Sequence, residues 1–150
     1  MILVTVGTTM PFDELLQEVD RLAGDGFFAG EEVLCQTGQS AYHMRHAAQF
    51  KARPTLQPLI EAASAVITHG GATVLQLLLA RKRFVAFANP RGAGDHQGFF
   101  LAELARHADI SWSRNVNDLA PMFAARQNPP TVATTFPRAA DVIRAAAAQE

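Results

Sequence analysis

Two apolar patterns alternate along the chain: short runs rich in β-branched residues, and longer stretches with helical spacing. Residues 2–6 (Ile-Leu-Val-Thr-Val) end at Gly7-Thr8-Thr9 and precede Pro11, a residue favoured in the first turn of a helix, so strand, loop and helix are predicted in turn. Leu15, Leu16, Val19 and Leu22 recur at spacings near three and four, and a loose loop over 24–30 ends that helix. Residues 32–36 predict a second strand ending at Thr37-Gly38. Residues 39–53 have little periodicity beyond a short candidate strand at 47–50.

From Leu56 the pattern sharpens. Leu56, Leu59, Ile60 and Ala63 make a helical stripe, and residues 65–68 predict a short buried strand meeting His69-Gly70-Gly71. Residues 72–81 predict a helix whose Val74, Leu75, Leu77, Leu78 and Leu79 are apolar over much of its surface, as expected of a core helix lying on a sheet. A strand at 83–88, a Gly/Pro loop at 89–94, a helix at 97–107, a strand at 110–113 and helices at 116–125 and 136–148 complete the reading. This alternation predicts a single α/β domain over residues 1–150, with a Rossmann-like parallel sheet and helices on both faces. Such a sheet binds ligands at the carboxyl ends of its strands. The loops at 7–9, 37–40, 69–73 and 89–97 therefore fall on one rim.

Composition narrows the function. The 150 residues are 49% apolar and carry a net charge of −1, enough for one ordinary core and too little positive charge for a nucleic-acid backbone. The single cysteine, Cys35, excludes an intramolecular disulfide and a multi-cysteine metal cage, and its strand pattern makes it a small core side chain. The longest strictly apolar run, residues 84–88, is far below the roughly 18 residues of a membrane span. Residues 1–4 lack a basic leader and read as a native start, so a cytoplasmic location is expected.

Thr68-His69-Gly70-Gly71-Ala72-Thr73 joins a buried strand to an apolar helix. Its two glycines remove the Cβ atoms that would hold a phosphate off the backbone, and a helix start offers unpaired N–H groups. The same sequence also suits a plain tight turn. Asp95-His96-Gln97 opens the next helix with donors and acceptors matched to sugar hydroxyls, or with Asp95 acting only as its cap. Gly7-Thr8-Thr9 suits a ligand approach or a helix cap. His43, His46 and His107 share no metal-binding motif, Trp112 reads as packing, and the alanine run at 145–148 carries no chemistry.

Gly7-Thr8-Thr9 with Phe12-Asp13-Glu14-Leu15, then Gln36-Thr37-Gly38, the 65–73 segment and Asp95-His96-Gln97 stand in the order found in the glycosyltransferase family 28 C-terminal domain. Over roughly residues 1–110 the chain resembles a free-standing form of that domain. Such domains are the donor-binding subunits of two-part enzymes that build dolichol-linked oligosaccharide or bacterial exopolysaccharide. The resemblance implies the C-terminal half of a GT-B glycosyltransferase, binding a UDP-sugar with no metal or other cofactor. It places the diphosphate at Gly70, Gly71, Ala72 and Thr73, the donor sugar near Asp95, His96 and Gln97, further donor contacts at Gly7 and Thr8, and the base near Gln36 and Gly38, with His69 also among the donor-binding residues.

The implied partner is a membrane-associated subunit that binds a lipid-linked glycan acceptor and keeps this chain peripheral to the membrane. Two features depart from the family pattern. One glycine of the loop is missing, and Gln76 stands where a glutamate is expected to hold the ribose hydroxyls. An amide has one oxygen and no charge, which weakens such a bond by roughly 1 kcal/mol. A non-catalytic interaction or regulatory subunit is the competing expectation. A dinucleotide-binding domain ranks last, because Gly-x-Gly-x-x-Gly does not follow the first strand.

Overall fold

The computed structural model describes residues 1–133, 141 and 144. In chain order these form β1 (Ile2–Thr5), α1 (Asp13–Gly24), β2 (Val33–Gln36), β3 (Ala48–Phe50), α2 (Gln57–Ala62), β4 (Ala65–His69), α3 (Thr73–Leu79), β5 (Phe84–Phe87), α4 (His96–Leu104), β6 (Ser111–Ser113) and α5 (Leu119–Ala125). The strands make one sheet in the order β3-β2-β1-β4-β5-β6, and every neighbouring pair is parallel. Chain direction across the sheet reverses between β1 and β4, where Val4 pairs with Ile67 on one side and with Cys35 on the other. That reversal creates the crevice in which doubly wound sheets bind their ligands.

Alternate residues of the central strands serve two cores. Ile2, Val4, Ala65, Ile67, Val85 and Phe87 pack with Leu15, Leu16 and Val19 of α1 and with Leu119 and Phe123 of α5. Leu3, Val66, Phe84 and Ala86 face the opposite way, onto Ile60 of α2, Val74 and Leu77 of α3, and Leu101 and Leu104 of α4. Both faces are thus covered, which is why these strands read as continuous apolar runs. Cys35 is buried, and burial pushes its thiol up to about 12, as fits a core side chain.

The α3 helix corrects one expectation. Val74, Leu77 and Leu78 face the core, but Leu79 is 86% exposed and Leu75 only partly buried. The helix is one stripe wide on the sheet, and Leu75 and Leu79 lie one residue beyond the i, i+3, i+4 face. Residues 116–125 are also not one helix. Asn115 caps a short 3₁₀ turn over Val116–Asp118, accepting a hydrogen bond from the Asn117 N–H at 3.1 Å, before α5 begins. The predicted helix at 136–148 lies outside the described residues, apart from 141 and 144, which are helical. Among the described residues no helix is long and apolar enough to cross a membrane.

Candidate functional site

The carboxyl edge of the sheet is built around His69, the last residue of β4. Gly7, just past β1, has φ +77°, and a Cβ there would stand 2.8 Å from His69 Nε2; one on Gly71 would also strike the ring. Both glycines make room for the imidazole at the reversal point. His69 Nδ1 lies 3.4 Å from the Thr5 carbonyl oxygen, which can only accept, so Nδ1 carries the proton. Burial lowers the pKa of His69 and outweighs the opposing effect of that bond, so the ring is neutral at pH 7. Gly38, with φ +53°, packs its bare Cα against the Gly7 carbonyl. The loops after β1, β2 and β4 therefore interlock.

A cleft of about 290 Å³ opens beside them, lined by Gly7, Thr8, Gln36, Arg53, Pro54, Thr55, Leu56, Thr73 and Gln76. Five sequence-predicted residues, Gly7 and Thr8 of the loop after β1, Gln36 of β2, and Thr73 and Gln76 of α3, come together here. The buried Thr5 hydroxyl donates to Gln36 Oε1 at 2.6 Å, which leaves the Gln36 amide nitrogen to offer the cleft. Arg53 is the only charged residue of the lining, and its guanidinium stacks on Phe50 at 4.8 Å from the ring centroid. The cleft is therefore weakly cationic, with hydroxyl and amide groups around one guanidinium.

Arg53, Pro54, Thr55 and Leu56 were absent from the sequence-based site, because the loop after the candidate strand at 47–50 was not placed on the rim. The signal that finds them is topological: they follow β3, and every strand end in this fold reaches the same edge. A larger groove of about 600 Å³ lies by Leu78, Leu79, Arg81 and residues 129–132, at the far end of α3 from Thr73.

The remaining predicted residues divide by role. In α3 the first bonds run from the Val74 N–H to Gly71 O (3.0 Å) and from the Leu75 N–H to Ala72 O (3.1 Å), so the N–H groups of Gly71, Ala72 and Thr73 are the open donors of the helix start. The Gly70 N–H is already committed, to Phe87 O at 3.0 Å and Gln97 Oε1 at 3.1 Å. A Cβ on Gly70 would meet the Gln97 Cβ at 2.8 Å, so this glycine lets α4 close on β4. Gln97 Oε1 also accepts from the Asn89 N–H at 2.9 Å, which uses its oxygen to tie β4 to the loop after β5.

His96 is exposed. Asp95 does not cap α4: its side chain makes no capping bond and its backbone is left-handed, at φ +53°. Of the other histidines, His43 and His46 are exposed and His107 is partly buried. Among the described residues no group of three or more His, Cys, Asp or Glu side chains is placed to hold a metal ion.

Strand order, double winding and a crevice at the reversal point define a Rossmann-like α/β domain. The model of the glycosyltransferase family 28 C-terminal domain matches residues 1–110, and the chain belongs to that family. It is thus a domain of the glycosyltransferases. Among solved structures it is similar to the NMR solution structure of ALG13, with 16% identity, a TM-score of 0.59, and coverage of 85% of this chain and 87% of that chain. At that identity the likeness bears on the fold. No curated protein matches the chain significantly.

Proposed function

We propose that this chain is the donor-binding subunit of a two-part glycosyltransferase, holding a UDP-sugar for transfer to a lipid-linked acceptor in exopolysaccharide or glycolipid assembly. The observation that carries the reading is the cleft at the β1/β4 reversal, where Gly7, Thr8, Gln36, Thr73 and Gln76 converge on one guanidinium, Arg53. One positive charge among neutral hydrogen-bonding groups suits a nucleotide, and the open N–H groups of Gly71, Ala72 and Thr73 suit the diphosphate that departs during transfer. Asp95 and His96, on the same edge of the sheet, take the sugar, with Gln97 holding their loop. No metal is needed for this arrangement. A membrane-associated partner supplies the acceptor surface and the general base, and aligns the acceptor hydroxyl with the anomeric carbon.

The test has two arms. UDP titrated into labelled protein is expected to shift the amide signals of Gly7, Thr8 and residues 71–76, and co-purification with a membrane-associated partner is expected to yield sugar transfer from one of a panel of UDP-sugars. Silence in both arms overturns the proposal. One observation favours a second reading, a regulatory subunit with weak donor binding: Gln76 lines the cleft where the family pattern has a carboxylate. Inserting a glycine after Ala72 together with Gln76→Glu raises donor affinity under the first reading and leaves it unchanged under the second.

A further inference from the structure

Asp95 combines three features that a simple helix start does not require. Its backbone sits at φ +53°, a region that residues with a side chain rarely adopt and that clusters at functional sites. Its carboxylate makes no capping bond but lies over the bare Cα of Gly98 and receives Arg114, with Nε at 3.0 Å and Nη2 at 2.7 Å from the same oxygen, Oδ2. A glycine makes the pairing possible: a Cβ on Gly98 would strike Asp95 Oδ1 and would lie 2.6 Å from Asp95 Oδ2 and 2.5 Å from Arg114 Nη2. Arg114 is itself steadied by Trp112, whose ring centroid lies 5.0 Å from the guanidinium carbon. Among the described residues no partner takes the other oxygen, Oδ1.

We propose that Arg114 is a positioning residue, holding Asp95 so that Oδ1 faces the donor sugar and accepts one of its hydroxyls. The proposal rests on the donor-site reading above. Arg114 follows β6 and lies outside residues 1–110, so the device belongs to this chain and not to the segment shared with the family. Stability does not explain it. The two side chains are 39% and 53% exposed, and ion pairs so placed contribute little to folding. What the pair does fix is direction, because both nitrogens bind one oxygen and free the other.

The experiment compares two affinities in the full chain: UDP, and whichever of UDP-glucose, UDP-N-acetylglucosamine and UDP-glucuronate binds tightest. Arg114→Gln is expected to lower the ratio of UDP-sugar to UDP affinity about tenfold, the cost of one charge-assisted hydrogen bond, while UDP affinity moves less than about twofold. Arg114→Lys restores part of the ratio by keeping the charge, and Asp95→Asn lowers it as Arg114→Gln does. A ratio unchanged in Arg114→Gln overturns the inference while the donor site stands, as does an equal loss for both ligands. Wild-type protein that binds neither UDP nor any of the three UDP-sugars overturns this inference, and if sugar transfer with a partner is silent as well, the donor-site reading falls with it.

Discussion

Gln97 reaches back from the first turn of α4 to the Gly70 N–H at the end of β4, 3.1 Å away. Because the same oxygen also takes the Asn89 N–H at 2.9 Å, one amide closes the gap between two strand ends. Gln97→Ala leaves both N–H groups without this acceptor. The expected loss is about 1–3 kcal/mol of unfolding free energy, seen as a lower urea midpoint with an unchanged slope. A midpoint equal to wild type would show that the bonds do not stabilise the edge.

The His69 ring and Gly7 compete for the same space, so their substitutions should not add. Gly7→Ala brings a methyl to within 2.8 Å of Nε2 at a backbone φ of +77°, and is expected to cost about 1–3 kcal/mol. His69→Ala removes the obstacle but not the backbone strain. The double variant is therefore expected to be more stable than the sum of the two single changes predicts, by about 1 kcal/mol in a double-mutant cycle. Strict additivity would mean that the ring does not press on Gly7.

Asp20 gives the fold an acid-sensitive point. This carboxylate on α1 is 2% exposed and accepts from the Tyr42 hydroxyl at 2.8 Å, the His46 N–H at 2.8 Å and the Arg45 N–H at 3.0 Å. Burial by itself raises its pKa, but the His46, Arg45 and Tyr42 bonds together outweigh it and hold the carboxyl below the usual value. A pKa depressed by folding contributes stability in full above the ordinary carboxylate range, and that contribution is lost as pH falls through the lowered value. Asp20→Asn is expected to lower stability at pH 7 and to flatten its decline between pH 5 and pH 3, measured by urea unfolding at stepped pH. A parallel pair of curves would rule this out.

Gln76 sets the fourth test. Gln76→Glu alone adds a second acceptor oxygen and a charge beside the cleft, and UDP affinity is expected to rise about fivefold over wild type, roughly 1 kcal/mol. Calorimetry with UDP and with 2′-deoxy-UDP separates a ribose contact from a general charge effect. If both ligands gain equally, Gln76 does not face the ribose.

Much of this was legible in the sequence because the signals are local. The strand before Gly7, the stripe of Leu15, Leu16, Val19 and Leu22, and the buried run before His69 each state their element through period and punctuation. The rim loops followed from the parallel fold. Long-range pairings were hidden: Arg114 meets Asp95 nineteen residues away, and no spacing rule links an ion pair across two elements. Arg53 was missed although a short strand was expected at 47–50, because three residues at the edge of the sheet do not show that this strand runs parallel to β2 and ends on the same rim. Leu79 misled because composition counts apolar residues, while burial depends on which side of a seven-residue helix they occupy.

The loop after β5 is tied at its start to the segment that leads into α1. The Asn89 side-chain amide donates to the Pro11 carbonyl at 3.0 Å, and Arg91 pairs with Glu14 at 2.9 Å, so this segment reaches across β4 to the start of α1. That tether at Asn89 is made before any ligand arrives, so the ordering of this segment is not charged against binding.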